Sequence, residues 1–259
     1  MSDEARMPFL AHLEELRKRL IISFSVIGVA FVLAFNIRDY CIRLLQWPLT
    51  TDIVMGRTFP FIAFAAKPPI AKLTALAPAE TLWTHFKVAF IVGAMLALPV
   101  ILYEVWKFIE PGLLPKEKRF ALPFVILSTI SFFLGVTFCF FIVLPMAMQF
   151  LLNFDPAIEQ MPRFGEYVDF TLKFLLAFGV IFQLPLAITI AARMGMVTPQ
   201  FLARHRKYAI LVNFVIAAIL TPTPDIFNQA LMAVPMCVLY EVGILAARLM
   251  ARRKKVAEA

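Results

Sequence analysis

Two glutamates beside predicted membrane boundaries are the residues of this sequence best suited to chemistry. Glu15 lies in the stretch "HLEELRKRL" and Glu117 in "FIEPGLLPKEKR", and both stretches adjoin long apolar runs. A carboxylate pairs with a guanidinium through two parallel hydrogen bonds, and partial burial at the headgroup level strengthens that pair. Two such carboxylates suit a peptide ligand that carries adjacent arginines, while a plain solvated linker is the alternative interpretation of the second stretch.

The N-terminal stretch, residues 1–19, is predicted to form an amphipathic helix that runs into the first membrane span. Glu14–Lys18 and Glu15–Arg19 are i,i+4 pairs with the acid first, which is the favourable order. The two glutamates and the lack of an A-x-A site argue against a cleavable signal peptide. A solvated interfacial helix remains the alternative. The apolar stripe of this helix consists of Leu10, Leu13, Leu16 and Leu20.

Composition indicates a polytopic membrane protein. The 259 residues are 61% hydrophobic and only 16% charged, and the mean hydropathy is +0.83. A soluble domain of this length needs more charge to cover its surface. The net charge of +8 is better explained by basic cytoplasmic loops than by nucleic acid. Three scattered cysteines and no CxxC pair give no sign of a disulfide framework or metal site.

Apolar runs predict a single all-α membrane domain, residues 1–259, with six transmembrane helices. Pro145 is expected to end the third helix, and the prolines of "TPTPD" separate the last two. The fifth and sixth apolar runs are short for a hydrocarbon core of roughly 30 Å. The predicted spans are Leu20–Ile37, Thr81–Tyr103, a third within Phe120–Phe154, Phe174–Ala192, Tyr208–Leu220 and Ile226–Tyr240.

The distribution of basic residues predicts that both termini are cytoplasmic. Most of the 25 Lys and Arg residues fall on the side of the membrane that holds the termini, as the positive-inside rule requires. Residues 106–120 then form the first cytoplasmic loop and residues 248–259 a cytoplasmic tail. The proline-rich residues 38–80 are expected to form an extracytoplasmic cap of short helices and turns.

Two polar residues of the later spans need partners. Gln183 lies within the fourth span, before Pro185, and must hydrogen-bond a neighbouring helix or water. A helix-packing amide and a functional polar site are both open. Asp225 follows the prolines outside the fifth span, and we expect it to cap the N-terminus of the sixth helix.

The sequence resembles the TatC family, the core subunits of the twin-arginine protein translocase. "HLEELRKRL", "FIEPGLLPKEKR" and "LTPTPDIFNQALMAVPMCVLYEVGI" are similar to that family's signatures and occur in the same order. The resemblance implies a receptor without a cofactor, not an enzyme. Such a receptor binds twin-arginine signal peptides of folded preproteins and recruits single-span TatA and TatB subunits for export driven by the proton motive force. It implies a homo-oligomer in the bacterial inner membrane, in contact with lipid and not with nucleic acid.

The resemblance also implies site residues. For the signal-peptide site they are Glu15, Arg17, Arg19, Phe108 and Glu117. Thr221 and Gln229 match positions where partner transmembrane helices dock. Pro48 and Asp225 match functionally sensitive positions. Gln183 stands where many relatives have a glutamate, so a mechanism that needs proton uptake at this position is in doubt here.

Two other classes of protein fit the sequence less well. A small-molecule secondary transporter usually has internal repeats and glycine-interrupted spans, whereas this chain has nine glycines and no visible repeat. An intramembrane enzyme needs a catalytic constellation. The sequence contains neither HExxH nor GxSxG, and its three histidines lie in separate segments.

Overall fold

The structure is a computed structural model that describes residues 9–55, 62–66, 73–109, 121–155, 157, 161–221 and 223–257. Nearly all of these residues are helical, which confirms the predicted all-α class. In chain order, the α-helices of the described residues are α1 (Phe9–Asn36), α2 (Arg38–Leu45), α3 (Pro78–Ile109), α4 (Ala121–Phe138), α5 (Leu144–Leu152), α6 (Phe164–Ile181), α7 (Leu184–Arg193), α8 (Pro199–Arg204), α9 (Arg206–Leu220) and α10 (Ile226–Ala257).

Five helical stretches of the described chain are long and apolar enough to cross a membrane. The helix α9 is the fifth predicted span, and it is short, as expected. At about 1.5 Å per residue its 15 residues rise about 22 Å, less than the roughly 30 Å of a hydrocarbon core. The count of six spans and the cytoplasmic termini stay predictions. The five stretches are Leu13–Asn36, Pro78–Ile109, Leu122–Leu152, Phe164–Arg193 and Ile226–Met250.

The charged N-terminal segment and the first span form one continuous helix, α1, as predicted. This helix runs without interruption from Phe9 to Asn36. The acidic and basic residues that precede the apolar run are therefore held rigidly at the end of a transmembrane helix.

The prediction that Pro145 ends the third helix is wrong. Between α4 and α5 the chain makes a π-helical turn, Cys139–Val143, in which the Leu144 N–H donates to the carbonyl of Cys139. A proline has no N–H to donate, and here Pro145 follows directly after the wider turn, at the start of α5. The helical stretch therefore continues to Leu152.

The fourth predicted span begins earlier than expected and is broken. Its first half, α6, begins at Phe164, and a turn at Phe182 and Gln183 separates α6 from α7. Pro185 causes the break, because a proline disfavours helical geometry in the residue before it and cannot bond the carbonyl four residues back. The Ser131 hydroxyl donates to the Phe182 carbonyl over 2.6 Å.

The sixth helix is not short, contrary to the prediction. The helix α10 has 32 residues and continues past Glu241 to Ala257. Glu241 lies within α10, and its carboxylate binds Arg206 with both oxygens: Nε to Oε1 is 2.6 Å and Nη2 to Oε2 is 2.9 Å. Beyond it, leucines, alanines and arginines favour continued helix.

The chain forms two compact units. The first comprises residues 1–44 and 77–130, and the second comprises residues 45–76 and 131–259. In the first unit, α1 packs along α3, and the two backbones approach closely at Gly93. A Cβ added to Gly93 would lie 2.8 Å from both N and Cα of Phe31.

In the second unit, α6 is the most deeply buried helix. Phe174 and Phe178 are fully enclosed, and α4 approaches α6 so closely that a Cβ on Gly179 would strike the ring of Phe132. The helix α10 packs against α7, where a Cβ on Gly243 would lie 2.8 Å from the Ile188 side chain.

The predicted cap of short helices and turns is only partly correct. It contains α2 and a 3-10 turn, Trp47–Leu49. It also contains two antiparallel strands, β1 (Thr51–Met55) and β2 (Ile62–Ala66), with Thr51 opposite Ala66. The prediction of short helices and turns was based on the prolines of this region, whereas the strands form in the short apolar runs between these prolines.

Candidate functional site

A guanidinium bridge joins α1 to α3 near one end of both helices. We use that name for three side chains: Glu15, Arg19 and Glu104. Arg19 donates from Nη1 to Glu104 Oε2 over 3.0 Å and from Nη2 to Glu15 Oε1 over 3.2 Å. Glu15 and Arg19 meet because residues four apart lie on the same face of a helix. The predicted Glu15–Arg19 pair is therefore present in the structure.

The guanidinium bridge is partly buried and its hydrogen bonding is incomplete. The exposed fraction of the side chain is 18% for Glu15 and 8% for Glu104. Within the part of the chain that the structure describes, Glu15 Oε2 and Arg19 Nε are buried without a hydrogen-bond partner. Buried polar atoms are rarely left in this state, because each forgoes bonds that water would supply. The buried Glu15 Oε2 therefore has unused capacity as a hydrogen-bond acceptor.

The other predicted signal-peptide residues lie in three different settings. Arg17 is exposed on α1. Phe108 is half-buried on α3, one helical turn beyond Glu104. Glu117 lies outside the described residues. The structure therefore brings Glu15 and Arg19 together, and the predicted partnership of Glu15 with Glu117 stays a prediction.

Glu104 is not among the predicted site residues. The predicted second span ends at Tyr103, directly before this acid, and residues 106–120 are predicted to form a loop. Instead α3 continues to Ile109 and presents Glu104 to Arg19 on α1. The available signal was an acid at the edge of an apolar run, on the same predicted membrane side as the basic N-terminal helix.

A second polar cluster surrounds the turn between α9 and α10. Asp225 caps α10, as predicted: its Oδ1 accepts the Asn228 backbone N–H over 2.7 Å, and its Oδ2 accepts the Asn228 amide over 2.9 Å. The same amide donates to Thr223 Oγ1 over 3.1 Å. Asn228 is fully buried. Sequence analysis did not single out Asn228, although a polar side chain in the first turn of an apolar helix is a signal for a cap network.

The electrostatics of this cap favour the ionised carboxylate. Burial raises the pKa of Asp225, but hydrogen bonds from the Asn228 N–H, from the Thr223 and Asn228 side chains and from the Phe227 N–H outweigh burial. Together they hold the Asp225 pKa below its ordinary value. The cap therefore stabilises the start of α10 most when Asp225 is charged.

Thr221 and Gln229 lie beside the cap and bond to α9. Thr221 is buried, and its hydroxyl donates to the Ala217 carbonyl over 2.8 Å. Gln229 donates from Nε2 to the Phe214 carbonyl over 3.0 Å. Gln229 therefore ties α10 to α9, whereas the Thr221 hydroxyl bonds only to the last turn of α9 itself.

Pro48 and Gln183 each lie at an irregular point of the backbone. Pro48 is buried in the 3-10 turn Trp47–Leu49, whose Trp47 ring stacks on Phe140 with centroids 5.5 Å apart. Gln183 is partly exposed in the turn between α6 and α7. Its carbonyl accepts the Ala187 N–H over 2.9 Å. Gln183 therefore lies at a helix break. The prediction had placed it inside a continuous fourth span.

Comparison with known proteins identifies a close similarity over nearly the whole chain. Residues 11–235 match the family described as "Sec-independent protein translocase protein (TatC)". The TatC protein of Desulforapulum autotrophicum is 43% identical over 253 residues, which cover 97% of this chain and 88% of that protein. The TatC protein of Aquifex aeolicus is 38% identical and covers 96% of this chain and 98% of its own length. A crystal structure described as "Twin Arginine Translocase Receptor- TatC" is 37% identical, with a TM-score of 0.77 over 92% of this chain and 98% of that one.

Proposed function

Because this chain belongs to the TatC family of Sec-independent protein translocase proteins, we propose that it binds the twin-arginine signal peptides of folded preproteins at the cytoplasmic face. The chain is a polytopic inner-membrane subunit of the twin-arginine translocase and not an enzyme. In the proposal, Glu15 and Glu117 accept the two arginines of the peptide, and Arg17, Arg19 and Phe108 complete the surface.

The guanidinium bridge is the observation that carries this proposal. Glu15 already binds one guanidinium, that of Arg19, and its buried Oε2 has no partner among the described residues. Charge-assisted hydrogen bonds between guanidinium and carboxylate are roughly twice as strong as neutral ones, about 1.5–3 kcal/mol net. A free carboxylate oxygen in a partly buried setting is therefore suited to an arginine from a ligand.

Photocrosslinking of a twin-arginine signal peptide to the purified full-length chain tests the proposal. We expect Glu15→Ala and Glu117→Ala each to lower the crosslinked yield at subsaturating peptide by about tenfold, since each removes a charge-assisted pair. The double variant should reach the background set by a twin-lysine peptide. Glu14→Ala, which removes an exposed charge from the same helix, is the matched control. Unchanged crosslinking in the double variant would contradict the assignment.

The proposed partners are single-span TatA- and TatB-type subunits that dock beside Thr221 and Gln229, within a homo-oligomeric complex. The exposed face of α9 supports this: Leu211, Val215 and Ile219 follow one another at four-residue spacing, and each is more than half exposed. A partner transmembrane helix can pack along this stripe and reach the polar groups at the turn. Pro48 and Asp225 are proposed to act indirectly, by holding the adjacent backbone in place.

For Gln183 we propose a hydrogen-bonding role within the membrane that needs no titration. Replacing Gln183 with leucine should lower export of a folded twin-arginine reporter about three- to tenfold, the range of an intramembrane hydrogen bond. Gln183→Glu should retain export. Export is measured in cells that lack their own TatC and contain the partner subunits.

The control for Gln183 is Val180→Leu, an apolar change at a side chain that is 64% exposed three residues earlier. This variant should export normally. If Gln183→Leu exports as well as the unaltered chain, Gln183 has no polar role and only fills space at the helix break.

A further inference from the structure

We propose that Glu104 is a positioning residue of the signal-peptide site. By binding one side of the Arg19 guanidinium, Glu104 prevents Arg19 from neutralising both oxygens of Glu15 and so leaves Glu15 Oε2 for an arginine of the peptide. This inference rests on the proposed function, because it explains how Glu15 stays available to a ligand although an arginine lies four residues away on the same helix.

The division of the guanidinium between two acids is the first step of the argument. Arg19 uses Nη1 for Glu104 and Nη2 for Glu15, so Glu15 receives a single hydrogen bond of 3.2 Å. An arginine with one carboxylate partner frequently adopts a two-point fork instead. Arg206 and Glu241 in this chain form such a fork, with contacts of 2.6 Å and 2.9 Å that occupy both carboxylate oxygens.

The charge of the guanidinium bridge is the second step. Its two carboxylates and one guanidinium carry a formal net charge of −1, and the Glu104 side chain is only 8% exposed. A buried charge without a partner is costly, and a second guanidinium that enters from a ligand would balance it. Without the charge of Glu104 the remaining Glu15–Arg19 pair is neutral and has no surplus charge to offer the peptide.

The burial of Glu104 indicates that its carboxylate acts specifically on Arg19 and does not merely add negative charge to the surface. Glu104 is 6% exposed as a residue on α3, and its Oε2 points at Arg19 on α1. The exposed Glu14 on α1 carries the same formal charge, but solvent and salt screen exposed charges. The inference therefore predicts different results for the same chemical change at these two positions.

The test measures the affinity of a synthetic twin-arginine signal peptide for the full-length chain in lipid nanodiscs. We expect Glu104→Gln to weaken binding about tenfold, because Arg19 then turns to Glu15. Adding Arg19→Gln to Glu104→Gln should raise the affinity at least about threefold above that of Glu104→Gln alone, since Glu15 is free again and the net charge returns to −1. Recovery should stop short of the unaltered chain, because the contribution of Arg19 to the proposed surface is lost. Glu14→Gln should bind normally, and a twin-lysine peptide should bind weakly to every variant.

The rescue by the second substitution separates positioning from a merely structural role. If the double variant binds as weakly as Glu104→Gln alone, Glu104 serves only to pack α1 on α3, and the inference is overturned. The same holds if Glu104→Gln binds normally while Glu15→Gln binds weakly, which leaves the proposed function intact. Normal binding by Glu15→Gln overturns the proposed role of Glu15 itself.

Folding of each variant is checked by its elution profile and by tryptophan fluorescence. If Glu104→Gln is not recovered folded, Glu104→Asp takes its place, because it keeps the charge and withdraws the carboxylate by one methylene. The expected result is the same: weaker binding that Arg19→Gln restores. Loss of binding without rescue would again overturn the inference.

Discussion

Gly93→Leu is expected to lower the free energy of unfolding by about 3 kcal/mol or more, the upper part of the range for overpacking. A Cβ at position 93 would meet backbone atoms of Phe31 at 2.8 Å, and backbone cannot move aside as a flexible side chain can. The leucine would therefore force α1 and α3 apart and separate the guanidinium bridge that joins them. Unfolding is followed by titration with a denaturing detergent, using the fluorescence of the three tryptophans.

Gly28→Leu is the matched control for this prediction. No atom lies within 4 Å of a Cβ placed on Gly28, and leucine has a better helix propensity than glycine. We expect its unfolding midpoint to equal or exceed that of the unaltered chain. Gly93→Ala should fall between the two leucine variants. Equal midpoints for Gly93→Leu and Gly28→Leu would refute the close contact of α1 with α3.

Most helices could be predicted from the sequence because a membrane helix needs a long apolar run, and such runs are visible without tertiary information. The wrong predictions concern helix boundaries that were placed at a single proline or next to a single charged residue. Pro145 was expected to end a helix, because a proline has no N–H to donate. A π-helical turn directly before Pro145 accommodates the missing donor, and the helical stretch continues. The sixth span was expected to end at Tyr240, whereas α10 continues to Ala257, and Glu241, the first charge beyond that boundary, pairs with Arg206.

In the candidate site, too, contacts between neighbouring residues of one helix were predicted, whereas a contact between two helices was not. The Glu15–Arg19 pair and the Asp225 cap follow from helical spacing and from the preference of acids for helix N-termini, and both were predicted. Glu104 was not predicted, because its meeting with Arg19 depends on the register of α1 against α3. That register is determined by packing between the helices, which includes the close contact at Gly93, and sequence spacing does not reveal it.

Asp225→Ala is expected to lower the free energy of unfolding by about 2–4 kcal/mol. Loss of a helix cap costs about 0.5–2 kcal/mol, and an amide left buried without its acceptor costs about 1–3 kcal/mol. Both costs apply, because Asp225 accepts the Asn228 backbone N–H and the amide of the fully buried Asn228. Asp225→Asn should lower the free energy of unfolding by less than Asp225→Ala does, since asparagine also caps helices. Some loss should remain, because an asparagine side chain cannot accept at both positions.

Asp155→Ala is the control for the loss of an aspartate that bonds a backbone N–H. The Asp155 carboxylate accepts the Ala157 N–H over 3.0 Å at an exposed site, so its loss should cost less than about 0.5 kcal/mol. If Asp155→Ala and Asp225→Ala are equally stable, the buried network around Asn228 contributes nothing. Such a result would also remove the structural reason for placing Asp225 beside the proposed docking turn.

The pH dependence of the free energy of unfolding separates the contribution of the Asp225 charge from the contribution of its hydrogen-bond geometry. The pKa of this carboxyl is lowered from 3.8 in the folded chain, so the folded state binds the proton less readily than the unfolded state. The stabilisation is therefore fully present above the ordinary pKa and is lost as the pH falls through the lowered value. The stability gap between the unaltered chain and Asp225→Asn should narrow over that acidic range. A constant gap would mean that the hydrogen-bond geometry of Asp225, and not its charge, holds the start of α10 against the turn where partner helices are proposed to dock.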